Sequence, residues 1–498
     1  MFLRNLAANY LGTVWVTVAQ LAILPVYVAF LGVEPFGLIG VHATLTILAS
    51  LSDLGITPAF SREISRLSGT REGATGIASF FSSLEITYWV FCGLVGVAAI
   101  VLLPGFVVDW INAKTIPHDE LILATRLMFG QIALQLVIGF YTGGMLGLQQ
   151  HVLLNSINIV GTTFRLVGAA IVLAFVSPKL DALFAWLIIA TLMQVVAMAV
   201  ASRRVLPIGV SRFDFNHVRR IWRYAGGVTA VMVLSLLLTQ IDKVILSRTL
   251  SLADFGLYSL ATTIAMSLCK PIGPLSRTLL PRMNQLVARG EHDEIARLYH
   301  QGSQLASFLI MPVTAVVVIF APEIMAIAFQ GSDEAKSAAS LVAVLAIGYA
   351  GNALMSIPYT LSLSYGWLKF GLYQNIVACI IMVPLTLYLV HHFGAMGGAM
   401  AWAILTSGCV LLSIYYLHSK LLPGEYYSWY MQDTLPPAAV AAATAYAFRL
   451  VVPEMSHGLI WDTIIIGLIF AAVAAATAMS LTVIRRAIAR MFAKSLGN

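Results

Sequence analysis

Runs of about 20 apolar residues, repeated along the whole chain, most constrain how this sequence can fold. Of its 498 residues 59% are hydrophobic and only 10% are charged, whereas an average soluble domain carries about a quarter charged residues. In lipid, only helices and closed barrels satisfy all their backbone hydrogen bonds. The runs are continuous rather than alternating, which indicates helices. The sequence therefore predicts an all-α, polytopic integral membrane protein.

Fourteen transmembrane helices are predicted from these runs. Their approximate bounds are 9–31, 36–58, 76–103, 121–146, 152–176, 180–201, 222–248, 253–279, 303–322, 336–361, 369–391, 395–418, 434–452 and 459–484. The long basic connection 202–221 is predicted to be a cytoplasmic linker. It divides an N-terminal six-helix lobe, 1–201, from a C-terminal six-helix lobe, 222–418. Residues 419–498 add two further helices and a cytoplasmic tail.

The two lobes are predicted to be pseudo-symmetric because a pattern recurs between them. Residues 31–67 align without gaps with residues 250–286, so that Phe36-Gly37-Leu38 matches Phe255-Gly256-Leu257. Each copy reads as a turn, an apolar span and a basic exit segment. Repetition of halves is common in transporters, where the substrate path lies between them.

Basic residues set the predicted orientation. One side of the membrane carries most of them: Arg62, Arg66, Arg71, Arg203, Arg204, Arg212, Arg219, Arg220, Arg282, Arg289, Arg297, Arg485, Arg486, Arg490 and Lys494. That side is predicted to be cytoplasmic, together with both termini. The net charge of +7 is therefore a topology signal, and no nucleic-acid partner is predicted because these arginines lie beside span ends.

No metal, cofactor or catalytic residue is predicted. The four cysteines all fall inside predicted spans, without metal-ligand spacing. No glycine-rich phosphate loop occurs, so an ATP-driven pump would need a separate subunit.

The basic segment after the eighth span, PRMNQL followed by ARGEHDEIARLYHQ, has helical spacing. It is predicted to lie on the membrane surface with Leu286, Ile295 and Leu298 in the lipid. Arg289 and Arg297 would then meet anionic headgroups.

Four stretches resemble a known family: LGVEPFGL, SDLGITPAFSREISRL, GLQQHVLLN (Gly147–Asn155) and LLPRMNQLVARGEHDEIARL. They are similar to the polysaccharide, or Wzx-type, flippases of the multidrug/oligosaccharidyl-lipid/polysaccharide exporter superfamily. That resemblance implies two six-helix lobes that rock around a central cavity, in the inner membrane of a bacterium. It also implies a polyprenyl-diphosphate-linked oligosaccharide as cargo, contact with membrane lipids, and a polymerase and glycosyltransferases as pathway partners.

Charged residues inside spans are the candidate site, because each costs about 2.5–3.5 kcal/mol on insertion scales. Arg165, Lys243 and Lys270 are the predicted substrate-binding cations, since an anionic diphosphate needs fixed positive charge. Arg165 lies mid-span, and Lys270 precedes Pro271 and Pro274, where the helix should kink. Each cation also has a structural alternative, such as a salt bridge or snorkelling.

Three carboxylates are candidates for ion coupling: Asp242, Glu85 and Asp53. Burial could raise the pKa of such a group toward neutrality. Asp53 could instead pair with Arg62, and Glu85 could be a structural, hydrogen-bonded acid.

Two rival functions remain open from sequence. One is a multidrug or organic-cation exporter of the same fold. The other is a membrane glycan polymerase or ligase, which would carry a long outer loop with clustered basic and catalytic residues. The longest predicted outer loops, around 104–120 and 323–335, are short and acidic. The sequence therefore favours a flippase that performs no covalent chemistry over an enzyme.

Overall fold

The computed structural model describes residues 2–53, 56–68, 73–205, 233–329, 333–452, 458–482 and 485. Within these ranges the chain is almost wholly helical and forms no strand beyond one isolated bridge, which confirms the all-α class. Residues 206–221 of the predicted linker lie outside them.

The helices are α1 (Phe2–Leu31), α2 (Val33–Ala49), α3 (Ile56–Ser68), α4 (Gly73–Trp110), α5 (His118–Gly147), α6 (His151–Phe175), α7 (Leu180–Val205), α8 (233–249), α9 (Leu252–Ser267), α10 (Ile272–Arg289), α11 (His292–Ile319), α12 (Ala321–Ala328), α13 (Asp333–Leu354), α14 (Ser356–Ser364), α15 (Leu368–Phe393), α16 (Ala395–Leu421), α17 (Glu425–Ser428), α18 (Leu435–Val451) and α19 (Leu459–Ser480). A 3₁₀ turn, Ser50–Asp53, follows α2, and a π-helix, Trp429–Thr434, precedes α18.

The protein is a multi-pass membrane protein. Ten helices in the described part of the chain are long and apolar enough to cross a bilayer, or eleven if α9 and α10 form one bent span. The other predicted spans, the second, seventh and thirteenth, correspond to α2, α8 and α18, each described over about 17 residues, just under the usual spanning length. The count of fourteen therefore stays a prediction.

Both copies of the sequence repeat contain a broken helix. The second span was predicted to continue to residue 58, but α2 ends at Ala49 and the chain turns before α3. In the second copy, α9 ends at Ser267 and α10 begins at Ile272 with a bend of 42°. Pro271 stands at the break and lacks the backbone N–H that would continue α9, so the predicted kink is confirmed. The breaks fall at matching positions of the repeat.

The described chain divides into two compact units, Met1–Gly256 and Leu257–Asn498. This division places the described part of the seventh predicted span, α8, with the first unit. The predicted lobes, 1–201 and 222–418, with the appended segment 419–498, stay predictions.

An aromatic cluster forms the core of the first unit. Phe60 of α3 stacks on Phe140 of α5 with ring centroids 4.7 Å apart, and Phe80 and Phe81 of α4 surround them. Glycines of α5 allow α3 to approach: a Cβ on Gly143 would lie only 2.8 Å from the carbonyl oxygen of Thr57. Gly139, Gly143 and Gly147 recur every four residues on this face of α5, and small residues at that spacing let two helices approach closely.

The second unit corrects the prediction for the basic segment. Leu286 and Ile295 are 2% and 0% exposed and belong to the core of this unit, so they do not lie in the membrane surface. The arginines behave differently, because Arg297 pairs with Glu294 and stays largely exposed. The apolar face of α10 and of the first turns of α11 therefore packs on protein.

A polar network anchors three residues of the C-terminal segment, Glu425, Asp433 and Thr482, to α11. His300 contacts Asp433 through Nδ1 and Glu425 through Nε2, at 2.5 and 3.0 Å. Gln304 donates to the other Asp433 oxygen (2.9 Å) and accepts from Thr482 (3.0 Å). Asp433 is fully buried, and its contacts compensate the cost of burying a carboxylate.

Candidate functional site

A series of hydrogen-bonded polar side chains links α2, α5, α7 and α6 in the first unit and ends at Arg165. His42 of α2 lies 2.7 Å from Gln131 Oε1 on α5. The Gln131 amide nitrogen donates to Thr191 of α7 (3.1 Å) and to Gln135 Oε1 (3.3 Å). That same Gln135 oxygen accepts a hydrogen bond from Arg165 Nη1 of α6 at 3.2 Å. Four helices thus bring five polar groups together in an apolar bundle.

The acceptors in this series of polar side chains determine which group donates in each hydrogen bond. Because Gln131 uses its amide nitrogen toward two acceptors, its oxygen must accept from His42. The His42 proton then lies on Nε2, which leaves Nδ1 as an acceptor. Gln135 receives two bonds at its oxygen, and its amide nitrogen makes no hydrogen bond within the described residues. The network therefore leaves donors at Gln135 and Arg165 for a ligand.

Arg165 has no acidic partner in the described part of the chain. Its only side-chain hydrogen bond there goes to the neutral amide of Gln135. Trp186 donates from its indole nitrogen to the Arg165 carbonyl oxygen at 3.0 Å. The Trp186 ring packs against Gly168, where an added Cβ would lie 2.0 Å from a ring carbon. The hydrogen-bond partner of the guanidinium in the described residues is thus a neutral amide, inside a spanning helix.

Lys243 and Asp242 are both buried in α8. Lys243 is 8% exposed and donates from Nζ to the carbonyl oxygen of Thr239, one turn earlier. Asp242 is 2% exposed. Burying charged side chains in a spanning helix is costly, so the roles predicted for both residues stay predictions.

Glu85 forms a compact ion pair near the arginine-bearing end of α7. Its Oε1 accepts from Tyr141 at 2.6 Å and from Arg203 at 3.2 Å. Trp89 donates to the Tyr141 hydroxyl, so the carboxylate has a fixed place. A carboxylate with two firm partners is typical of a structural ion pair.

Lys270 and Asp53 lie at the two helix breaks. Lys270 is exposed in the turn between α9 and α10. Asp53 ends the 3₁₀ turn after α2, and its side chain lies outside the described structure. Both positions belong to turns, where charge is more easily hydrated than inside a continuous helix.

The two copies of the repeated turn meet within the first unit. A Cβ on Gly37 would lie 2.1 Å from the carbonyl oxygen of Leu252, and one on Gly256 would lie 2.6 Å from that of Val33. Both pairs follow the 219-residue offset that aligns Leu31 with Leu250. The contact is therefore reciprocal: each copy places its glycine on the backbone of the other. We call this region the paired-turn contact.

Residues 109–112 bind the end of α8 beside the paired-turn contact. Asn112 forms a bridge with Ser251 and donates from Nδ2 to the carbonyl oxygen of Arg248 at 2.8 Å. The backbone N–H of Leu252 donates to Asn112 at 2.9 Å. Arg248 also lies over the Trp110 ring, 5.6 Å from its centroid. These bonds join the end of α4 to the end of α8.

Glu34 holds the same loop from the other side. Its carboxylate accepts from the backbone N–H groups of Lys114 and Thr115 and from the Thr115 hydroxyl at 2.6 Å. Partial burial opposes ionisation, but these hydrogen bonds prevail and lower the pKa of Glu34. Glu34 is thus an ionised anchor for the 112–115 loop.

The amino-acid sequence matches two known protein families. Residues 2–287, more than half of the chain, match the family described as "Polysaccharide biosynthesis protein". The chain belongs to the polysaccharide biosynthesis protein family. Residues 228–388 also match the family described as "MatE". The predicted resemblance to Wzx-type members of the multidrug/oligosaccharidyl-lipid/polysaccharide exporter superfamily is confirmed.

Proteins similar to this chain are named as transporters or flippases. It is 22% identical over 405 residues to a Shigella flexneri protein named "Putative O-antigen transporter", which covers 81% of this chain and 94% of that protein. The lipid II flippase MurJ in an inward closed conformation has a TM-score of 0.72 at 10% identity and covers 96% of this chain and 98% of MurJ. An inward-facing multidrug resistance MATE family transporter has a TM-score of 0.69 at 14% identity over 84% and 98% of the two chains. These structures share the fold.

The sequence analysis did not predict the uncharged residues that are hydrogen-bonded in series with Arg165. It considered formal charges only, and so found Arg165 without His42, Gln131 or Gln135. A signal was present, since Gln131 and Gln135 are one turn apart on α5 and share a helix face. Amides and histidines in an apolar span need hydrogen-bond partners as charged groups do.

Proposed function

We propose that this protein is a flippase that moves a polyprenyl-diphosphate-linked oligosaccharide across the bacterial inner membrane, for cell-surface polysaccharide biosynthesis. The observation that carries the proposal is Arg165, a guanidinium inside a spanning helix whose described partners are all neutral. A cation kept without a counter-ion in lipid is a site for an anion. Family membership supports the same cargo class.

The chemistry of the cargo matches the donors that remain free. A diphosphate offers several oxygens, and a guanidinium can bind two of them at once through its planar fork. The Gln135 amide nitrogen is a second donor beside it. His42 Nδ1 is an acceptor suited to a sugar hydroxyl. The polyprenyl tail can stay in lipid while the polar head passes through the protein.

The other charged residues have subordinate places in this proposal. Lys243 and Lys270 are proposed to assist substrate binding, and Asp242 and Asp53 to take part in ion coupling. Glu85 was proposed for ion coupling as well, but its bonds to Tyr141 and Arg203 favour a structural role.

Transport is proposed to occur by alternating access of the two lobes. In that cycle the paired-turn contact, which joins residues 33–37 of the first predicted lobe to residues 252–256, must form and break. The protein would perform no covalent chemistry, and a polymerase and glycosyltransferases would act on the cargo before and after it.

Reconstitution tests the function directly. Proteoliposomes that contain a fluorescent polyprenyl-diphosphate oligosaccharide should expose it to a membrane-impermeant quencher faster than protein-free liposomes, because the headgroup moves between leaflets. The same preparation should not accumulate an organic cation such as ethidium. Cation transport without glycan movement would favour the multidrug exporter instead.

The proposed orientation, with both termini in the cytoplasm, predicts a labelling pattern. Lys179 and Lys420 are both exposed. Lys179 lies between α6 and α7, and Lys420 lies in the last turn of α16. In a background without the four native cysteines, Lys179→Cys should react with an impermeant thiol reagent in intact cells, and Lys420→Cys only after lysis. The reverse pattern would invert the orientation.

A further inference from the structure

An apolar groove runs between α6 and α7 on the surface of the first unit. It encloses about 630 Å³. Leu153 and Ile157 of α6 line it, and α7 contributes two alanines, Ala197 and Ala201, between larger side chains. Val196 in its wall is 53% exposed, as expected for a side chain that meets lipid.

A single cation lies at one end of this groove. Arg204 is its only charged lining residue, is exposed, and forms no ion pair within the described residues. The adjacent Arg203 differs, because it donates to Glu85 at 3.2 Å. Arg204 therefore places a positive charge at the mouth of the apolar groove.

We propose that the groove holds one acyl chain of an anionic phospholipid whose phosphate pairs with Arg204. The charge selects an anionic headgroup, and the length selects a fatty acyl chain. From Leu192 to Arg204, α7 rises about 18 Å, close to the roughly 15 Å of hydrocarbon in one leaflet. A chain that starts at Arg204 ends near the bilayer centre, whereas a long polyprenyl tail would extend beyond the groove.

The protein contains a matched control for this site. A second apolar groove of about 650 Å³ lies along α4 and is lined by Val90, Leu94, Val97, Val101 and neighbouring small residues. None of its lining residues is charged. Lipid should fill this α4 groove without regard to headgroup charge.

Photolabelling separates the two grooves. The full-length protein is reconstituted in phosphatidylcholine vesicles with a trace of lipid that carries a diazirine in its acyl chain, with either a phosphatidylglycerol or a phosphatidylcholine headgroup. After irradiation, labelled peptides are counted by mass spectrometry. The α7 peptide 192–204 should be labelled about fivefold more by phosphatidylglycerol, and the α4 peptide 90–102 equally by both.

Three variants identify the source of the preference. Arg204→Gln should remove it, whereas Arg203→Gln should keep it because that arginine is already paired. Ala201→Trp, which fills the groove, should reduce labelling by both lipids while Arg204 remains. Equal labelling of wild-type α7 by the two lipids, a preference that survives Arg204→Gln, or unchanged labelling in Ala201→Trp would each overturn the proposal.

Discussion

Arg165→Ala is expected to abolish glycan export while the protein still accumulates in the membrane. The substitution removes the proposed charge-assisted hydrogen bonds to the diphosphate, each worth about 1.5–3 kcal/mol. A loss of about 3 kcal/mol lowers affinity more than 100-fold. Arg165→Lys should restore export only in part, because a point charge replaces a planar fork. Surface polysaccharide in a strain that lacks its own flippase is the readout, with protein abundance measured in the same cells.

A matched control comes from another arginine of the first unit. Arg126 also lies in a spanning helix, α5, but is exposed and makes no ion pair within the described residues. Arg126→Ala should leave export near the wild-type level. Arg165→Gln separates binding from folding: if Arg165 serves only as a hydrogen-bonding strut, the amide should restore both abundance and export. Full export by Arg165→Gln would remove this residue from the substrate path.

A disulfide between residues 112 and 251, beside the paired-turn contact, is expected to stop transport reversibly. Asn112 and Ser251 are bridge partners, and neighbouring strands at a bridge lie about 5 Å apart, within the range that a disulfide spans. In a background without native cysteines, oxidation of the Asn112→Cys/Ser251→Cys pair should trap this conformation and reduce export by at least tenfold. A reducing agent should restore it. Each single variant under the same oxidant is the control.

A larger side chain at one of the two glycines of the paired-turn contact should keep the contact open, whereas the disulfide keeps it closed. A Cβ on Gly37 has no room beside the Leu252 carbonyl, so Gly37→Val should prevent the paired-turn contact from closing. The disulfide should then form more slowly in Gly37→Val than in its parent. If the oxidised pair exports glycan at the normal rate, the contact does not open during transport, and alternation about it is wrong.

The sequence by itself was sufficient for the fold class, the broken eighth span and the family. A spanning helix satisfies its backbone hydrogen bonds within its own segment, so an apolar run of about 20 residues identifies it without knowledge of its neighbours. The kink before Pro271 is equally local, since proline lacks the N–H that the helix needs. Arg165 was found by a local rule too, because a charge inside an apolar run is visible in one dimension.

Only the tertiary structure decided what surrounds these residues. His42 and Gln131 are 89 positions apart in the chain, and no local pattern joins them. The fate of Leu286 and Ile295 was not determined by their helical spacing, because lipid and protein core are both apolar and favour the same pattern. The close approach of Gly37 to Leu252 likewise depends on how two distant turns pack. Burial and hydrogen-bond partners depend on how helices pack, so the polar side chains that join His42 to Arg165 could be identified only from the tertiary structure.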